Sequence, residues 1–319
     1  MTSLIRIKQE LTRTTVGRIF IKAYHYTVAV PIARIYSFKF HFIKNKFKSI
    51  KFYSNEDTFD MLKSKKVSLC RFGDGEISWI YRDSKGYFNQ ENSKELSDRL
   101  RDILLSDNKN IIVGIPNFFG SLDQYSQKRR ESRNTHLAKY YKRWMELLSS
   151  DKYYADALIT RVYYGLNDKK SDYMFKNWKS IWEDENIIII EGSQTRFGVG
   201  NDLLSNARSI RRIIAPAENA FQRYDEILSN AKEYISKDNL FIISLGPTAT
   251  VLANDIGNCG SQAIDIGHLD IEYEWFLSGT TKKKPVIGKY VNEAGGAPNI
   301  EMPEAVLKRY KTEIIKYVV

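Results

Sequence analysis

The chain has 319 residues, 43% of them hydrophobic and 27% charged, which fits a soluble globular protein of one large domain or two. Two cysteines, Cys70 and Cys259, exclude a disulfide framework and a Cys-x-x-Cys metal site, and read as buried thiols of a reducing compartment. The formal net charge of +11 is unevenly placed: Arg6, Lys8, Arg13, Arg18, Lys22, Arg34, Lys39, Lys44, Lys46, Lys48 and Lys51 face Glu10 as the sole acid before residue 52.

Large apolar residues, Ile19, Phe20, Tyr24, Ile35, Phe38 and Phe42 among them, are interleaved with those cations. The mixture suits an anionic surface, a membrane before a nucleic acid, or a helical appendage with a solvated basic face. No apolar run is long enough to span a bilayer and no signal peptide is evident, so an intracellular protein is expected.

After this extension, Asn55-Glu56-Asp57 predicts a helix start, leading into an apolar run from Val67 with strand character. That strand stops at Gly73-Asp74-Gly75-Glu76, which would deliver two carboxylates to the carboxyl edge of a sheet, where open α/β proteins bind ligands. Two acids so close repel unless a cation sits beside them, and hard oxygen ligands suit Mn²⁺ or Mg²⁺. A helix is predicted from Ser93 to Leu105 and a buried strand over 110–116. A basic and aromatic helix follows over 125–148, then a short strand over 157–161. Ile187-Ile188-Ile189-Ile190 is the clearest parallel-strand run, with further strands at 211–215 and 240–246 and a helix from Phe221 to Ile235 between them. Strands alternating with helices at this pace predict an α/β fold with a largely parallel sheet.

Two strand exits read as phosphate cradles. One carries Arg196, Gly198, Gly200 and Asn201; the other runs Gly246-Pro247-Thr248, a glycine and proline opening a helix. Neither is a Walker A loop or a dinucleotide fingerprint, which weakens kinase, GTPase and dehydrogenase readings. A third cluster, Asp265 to Trp275, holds His268 beside Asp265 and Asp270; as an extended segment it would put Asp270, Glu272 and Glu274 on one side, whereas a helix would fan them out. Glu293 adds one more acid on a glycine-rich loop.

Taken together, Arg71-Phe72-Gly73-Asp74-Gly75-Glu76, the 196–202 loop, Pro216-Ala217-Glu218-Asn219-Ala220-Phe221, Gly246-Pro247-Thr248-Ala249-Thr250 and the 265–275 cluster resemble the GT-D-type glycosyltransferases of bacteria. With the tail from Asn299, which lies outside the resemblance and reads as a basic closing element, the expected domain runs over 53–319 behind an extension over 1–52. The resemblance itself, over about 53–296, implies a Rossmann-like transferase. It implies that Asp74 and Glu76 serve Mn²⁺ or Mg²⁺, and that Arg71, Gly73, Arg196, Gly198, Gly200, Asn201, Gly246 and Thr248 surround a UDP-sugar. The acceptor would be a glycan, lipid-linked or protein-linked, in surface polysaccharide or glycoprotein synthesis. Glu293, Asp270 or Glu272 would take the acceptor proton, with His268 nearby. The expected place is the cytoplasm, with the extension able to hold the enzyme on the inner membrane face. A metal-dependent phosphohydrolase or phosphotransferase would use the same acids. A nucleic-acid-binding role is disfavoured because the basic excess lies away from them.

Overall fold

The computed structural model describes residues 14–73, 75–83, 90–117, 123–166, 170–294, 296 and 301–318. Among the described residues, nine strands form one sheet: β1 (Lys51–Phe52), β2 (Ser68–Arg71), β3 (Ile111–Ile115), β4 (Tyr153–Asp156), β5 (Asn186–Gly192), β6 (Ser209–Ala215), β7 (Asn239–Ser244), β8 (Gln262–Asp265) and β9 (Ile314–Tyr317). Their spatial order is β1-β4-β3-β2-β8-β7-β5-β6-β9, and every pairing is parallel. The α/β, Rossmann-like expectation is met. β2 and β8 lie side by side, with β3, β4 and β1 beyond β2 and β7, β5, β6 and β9 beyond β8, so their exits meet where the strand order reverses.

Parallel strands need long crossovers, and helices supply them on both faces. The isoleucine run of β5 shows why: Ile188 and Ile190 enter one core cluster and Ile187 and Ile189 the other, all fully buried. The first core is covered by α5 (Lys94–Leu105), α6 (Gln127–Leu147), α8 (Tyr224–Lys232) and α9 (Pro247–Asn258). The second is covered by α3 (Asn55–Ser64), α7 (Ser171–Ile181) and α10 (Leu269–Leu277). A Ser54/Asp57 capping box starts α3, and Pro247 opens α9 directly after Gly246. The tail adds α11 (Glu304–Glu313) and edge strand β9, tied down by an Arg212–Glu313 ion pair at 2.7 Å.

The extension contributes α1 (Thr15–Tyr24) and α2 (Val30–Ile43), joined by a π-helical turn over His25–Ala29. α2 packs along α6, and Phe40, Ile43, Phe47 and Ile50 are buried in the first core. The described residues hold no helix long and apolar enough to cross a membrane.

Three local expectations are corrected, and one alternative is decided. Residues 157–160 form a 3₁₀ turn rather than a strand, because the Asp156 side chain accepts from the Leu158 N–H and curls the chain. The 221–235 helix is broken into a 3₁₀ turn, Ala220–Arg223, and the shorter α8. Of the two readings open for 269–277, the structure takes the helical one, so its carboxylates fan out. Cys259 is exposed just past the end of α9, and only Cys70 is buried.

Candidate active site

The exits of β2, β4, β7 and β8, together with α6, enclose a cleft of about 500 Å³ at the carboxyl edge of the sheet. Arg71, the last residue of β2, clamps its floor. Its Nε donates to the Asp265 carbonyl at 2.7 Å, Nη1 to the Ala157 carbonyl at 2.8 Å and Thr160 Oγ1 at 2.6 Å, and Nη2 to Asp265 Oδ1 at 3.1 Å. Thr250 donates to the other Asp265 oxygen at 3.1 Å. Burial raises the Asp265 carboxyl above its ordinary range, and the Arg71 charge opposes that rise. Gly267 has φ +55°, and a Cβ there would lie 2.0 Å from Arg71 Nη2. Glycine is therefore required where β8 turns over the clamp. Arg71 lines the cleft, but most of its donors are spent on tying three strand exits together.

Beyond the clamp, Glu76 opens the short helix α4 (Glu76–Ile80) and lines the cleft. Gly73 lets its carboxylate fold back, since a Cβ at Gly73 would come within 2.8 Å of Glu76 Oε2. Asp74, the other expected metal ligand, lies outside the described residues. Among the described residues, no group of three or more His, Cys, Asp or Glu is arranged to hold a metal ion.

To the same cleft the β8 exit brings His268, and helix α10 brings Glu272. Glu272 Oε2 accepts the Tyr163 and Tyr164 N–H groups at 3.0 and 2.7 Å, which fixes the loop after β4. Glu293 pairs with Arg161 at 2.6 Å and with Lys283. Burial would raise the Glu293 carboxyl, but the Arg161 charge, His268 and Lys283 together outweigh it and bring it to about 2. His268 keeps part of its surface toward the cleft. Burial and then the Arg161 charge depress its imidazole to about 3, so it is neutral at physiological pH.

Other expected site residues lie elsewhere. Asp270 accepts from buried Lys289 at 2.7 Å and from Asn201 at 2.8 Å, and Glu274 shares both donors. Burial raises the Asp270 carboxyl, against the pull of Lys289. Arg196 donates to the Gly288 carbonyl at 2.8 Å, and Phe197 N–H to Glu191 at 2.6 Å. The loop containing Gly198 and Gly200 thus spends these groups on its own architecture. Thr248 is buried, with its hydroxyl 3.4 Å from Gln90. Arg196, Gly198, Gly200, Asn201 and Thr248 line neither the cleft nor the smaller cavity beside it. That cavity, of about 110 Å³, is walled by Phe197, Pro216, Leu245, Ile271 and Asp270, and shares Ser244, Gly246, Gly267 and His268 with the cleft.

Sequence reasoning passed over Arg161, Lys283 and the α6 wall with Arg129, Arg133 and His136. The α6 signal was present as basic residues at i, i+4 and i+7, the spacing of one helix face.

A family model described as glycosyltransferase GT-D fold matches residues 69–294. The chain is 36% identical over 256 residues to the "Probable glycosyl transferase Gly" of Streptococcus gordonii, covering 80% of this chain and 37% of that protein. It is 33% identical over 262 residues to "Glycosyltransferase GlyD" of Streptococcus pneumoniae serotype 4, covering 82% of this chain and 31% of that protein. It therefore spans about a third of the length of these curated relatives. A solved domain described as having a distinct glycosyltransferase fold superposes with TM-score 0.80 at 34% identity, over 88% of this chain and all of that one. A glycosyltransferase from Streptococcus sanguinis superposes with TM-score 0.78 at 33% identity, over 85% of this chain and all of that one. The parallel sheet, the cleft at its reversal point and these matches agree: the chain belongs to the glycosyltransferases of GT-D fold.

Proposed function

We propose that the chain moves a sugar from a UDP-sugar to a glycan or glycoconjugate acceptor, in the building of bacterial surface polysaccharide or glycoprotein. The observation that carries this reading is the meeting of Glu76, His268 and Glu293 on one cleft, in a chain of a glycosyltransferase family. The small cavity, with Phe197, Leu245 and Ile271 on its walls, suits a nucleobase, and Gly246 at the start of α9 suits the diphosphate between the two cavities.

The residues fit a divalent cation. Glu76 offers an oxygen ligand on the cleft wall, and the sequence supplies Asp74 two positions earlier. Mn²⁺ or Mg²⁺ commonly takes one or two carboxylates and fills its remaining positions with phosphate oxygens and water, so a third protein ligand is not required. When bound, such an ion neutralises charge developing on the leaving diphosphate.

Glu293 is our choice for the group that takes the acceptor proton. Asp270 is held by Lys289 and Asn201, and Glu272 by two backbone N–H groups. At rest Glu293 is a weak base, because Arg161 and Lys283 hold it ionised. A bound diphosphate that drew those cations away would raise its basicity.

A screen of nucleotide sugars for thermal stabilisation, with and without Mn²⁺, tests the reading. A cognate UDP-sugar present at about 100 times its Kd should stabilise the fold by about 2.7 kcal/mol. Stabilisation by no nucleotide sugar, with or without metal, would sink it.

A further inference from the structure

The first half of α6 forms a wall of the cleft to which the transfer chemistry above gives no task. Ser126, Arg129, Arg133 and His136 all line it. Arg133 is the unusual member. It is 6% exposed, yet among the described residues its Nε and Nη1 have no hydrogen-bond partner. Its guanidinium sits 5.2 Å from the Phe40 ring of α2, which shields it from solvent on that side. Burial lowers its pKa to about 10, which still leaves it charged at physiological pH. Arg129 donates to the Tyr164 carbonyl at 2.9 Å and rests 4.8 Å from the Tyr125 ring. Three of the four carboxylates lining the cleft, Asp265, Glu272 and Glu293, take their cations elsewhere, from Arg71, Arg161 and Lys283.

A buried guanidinium with two unspent nitrogens is costly unless something completes it. Its planar fork matches a phosphate better than any other common anion except a carboxylate. The wall's location narrows the source. The small cavity shares residues of the β7 and β8 exits with the cleft but none of α6, so α6 lies on the side away from it. We propose that Arg133, flanked by Arg129 and Ser126, forms a subsite for a phosphate or diphosphate group at the end of the cleft away from the small cavity. On the transferase reading above, that group belongs to the acceptor, which would carry its phosphate near the hydroxyl that receives the sugar.

The test is calorimetric titration of the full chain with inorganic pyrophosphate in the presence of saturating UDP, comparing wild type with Arg133→Met and Arg133→Lys. Pyrophosphate should bind the wild type, the Met variant roughly tenfold or more weakly, as expected for loss of a charge-assisted hydrogen bond, and the Lys variant in between. UDP affinity, titrated separately, should stay unchanged in both. A parallel fall in UDP affinity would identify the anion as the donor diphosphate and overturn the acceptor assignment. Equal pyrophosphate affinity in wild type and the Met variant would overturn the subsite itself. If near-UV circular dichroism shows that the Met variant does not fold, Arg129→Gln carries the same comparison. Because this readout is binding, a failed subsite and a failed transferase reading remain distinguishable: pyrophosphate binding without any sugar transfer would refute only the latter.

Discussion

At the scale of single residues, the site is a set of charges whose ionisation the protein has shifted. Glu293 is held down to about 2 and His268 to about 3, against ordinary values near 4.5 and 6.5. Both folded-state values lie below the unfolded ones, so the stability they contribute is complete above the unfolded pKa and is lost as pH falls. For His268 the loss begins near pH 6.5 and continues toward 3; for Glu293 it runs from about 4.5 to 2. Because the imidazole still meets the cleft, a discounted figure of about 1–2 kcal/mol is expected for His268 by pH 4.5. His268→Gln should therefore flatten the fall in Tm between pH 6.5 and 4.5 relative to wild type. An unchanged slope would mean the imidazole is not held neutral. Gly267→Ala is the sharper structural test, since the new Cβ would sit 2.0 Å from Arg71 and adopt φ +55°. It should cost roughly 1–3 kcal/mol and loosen the clamp under Asp265, read as a lower midpoint in denaturant. A wild-type midpoint would show that the clamp yields without penalty.

At the scale of elements, the sequence was most readable where one pattern had one cause. The four isoleucines of β5 could be nothing but a strand buried on both faces, and Ser93 followed by apolar residues at helical spacing marked α5. The β2 exit was legible as an edge of the cleft because its glycines and acids follow a strand at the carboxyl end of a parallel sheet, although Asp and Gly fill ordinary turns as well. Segment 269–277 was not: its alternation of acids fits an extended strand, and what decides for helix is tertiary. Asp270 and Glu274, one turn apart, share buried Lys289, while Glu272 points the other way to the backbone after β4. A lysine 15 residues beyond Glu274 cannot be seen to be buried from sequence alone. The 196–202 loop was only partly legible for the same reason: Phe197 walls the small cavity, whereas Arg196 and the Phe197 N–H brace neighbouring groups, and glycines and an arginine look alike in both roles. This yields a prediction about the element. Lys289→Met would leave buried Asp270 and half-buried Glu274 without their cation and should cost about 3–5 kcal/mol, while Arg196→Ala, which removes one bond to a carbonyl, should cost about 1 kcal/mol. Chemical denaturation of both variants checks the ranking. Equal losses would mean that Lys289 is not the keystone of α10.

At the scale of the whole molecule, the open question is what covers the outer face of α1 and α2. α2 is apolar on two sides: Phe40 and Ile43 are buried against the enzyme, whereas Ile32, Ile35, Phe38 and Phe42 lie at helical spacing on the other side, with Phe38 70% exposed. α1 repeats the pattern with Val16, Ile19 and Phe20, also exposed. An apolar stripe on a helix is ordinarily buried, and no residue after Glu10 and before Lys51 carries a negative charge. Lys22, Arg34 and Lys39 supply positive charge beside the exposed face, so an anionic membrane is the cover we propose. Each such cation contributes about 1 kcal/mol near an anionic leaflet, so replacing all three with Gln should weaken vesicle binding by about 100-fold at low salt. High salt should weaken the wild type too, but leave a residue of binding that Ile35→Ser with Phe38→Ser removes, because burial of apolar groups is not screened. Any truncation must stop short of Phe40, Ile43, Phe47 and Ile50, which belong to the enzyme's core; a chain beginning at Val30 should stay folded and bind vesicles less. Full-length protein that ignores anionic vesicles at low salt, yet dimerises through this face as concentration rises, would replace the membrane with a second copy of the chain.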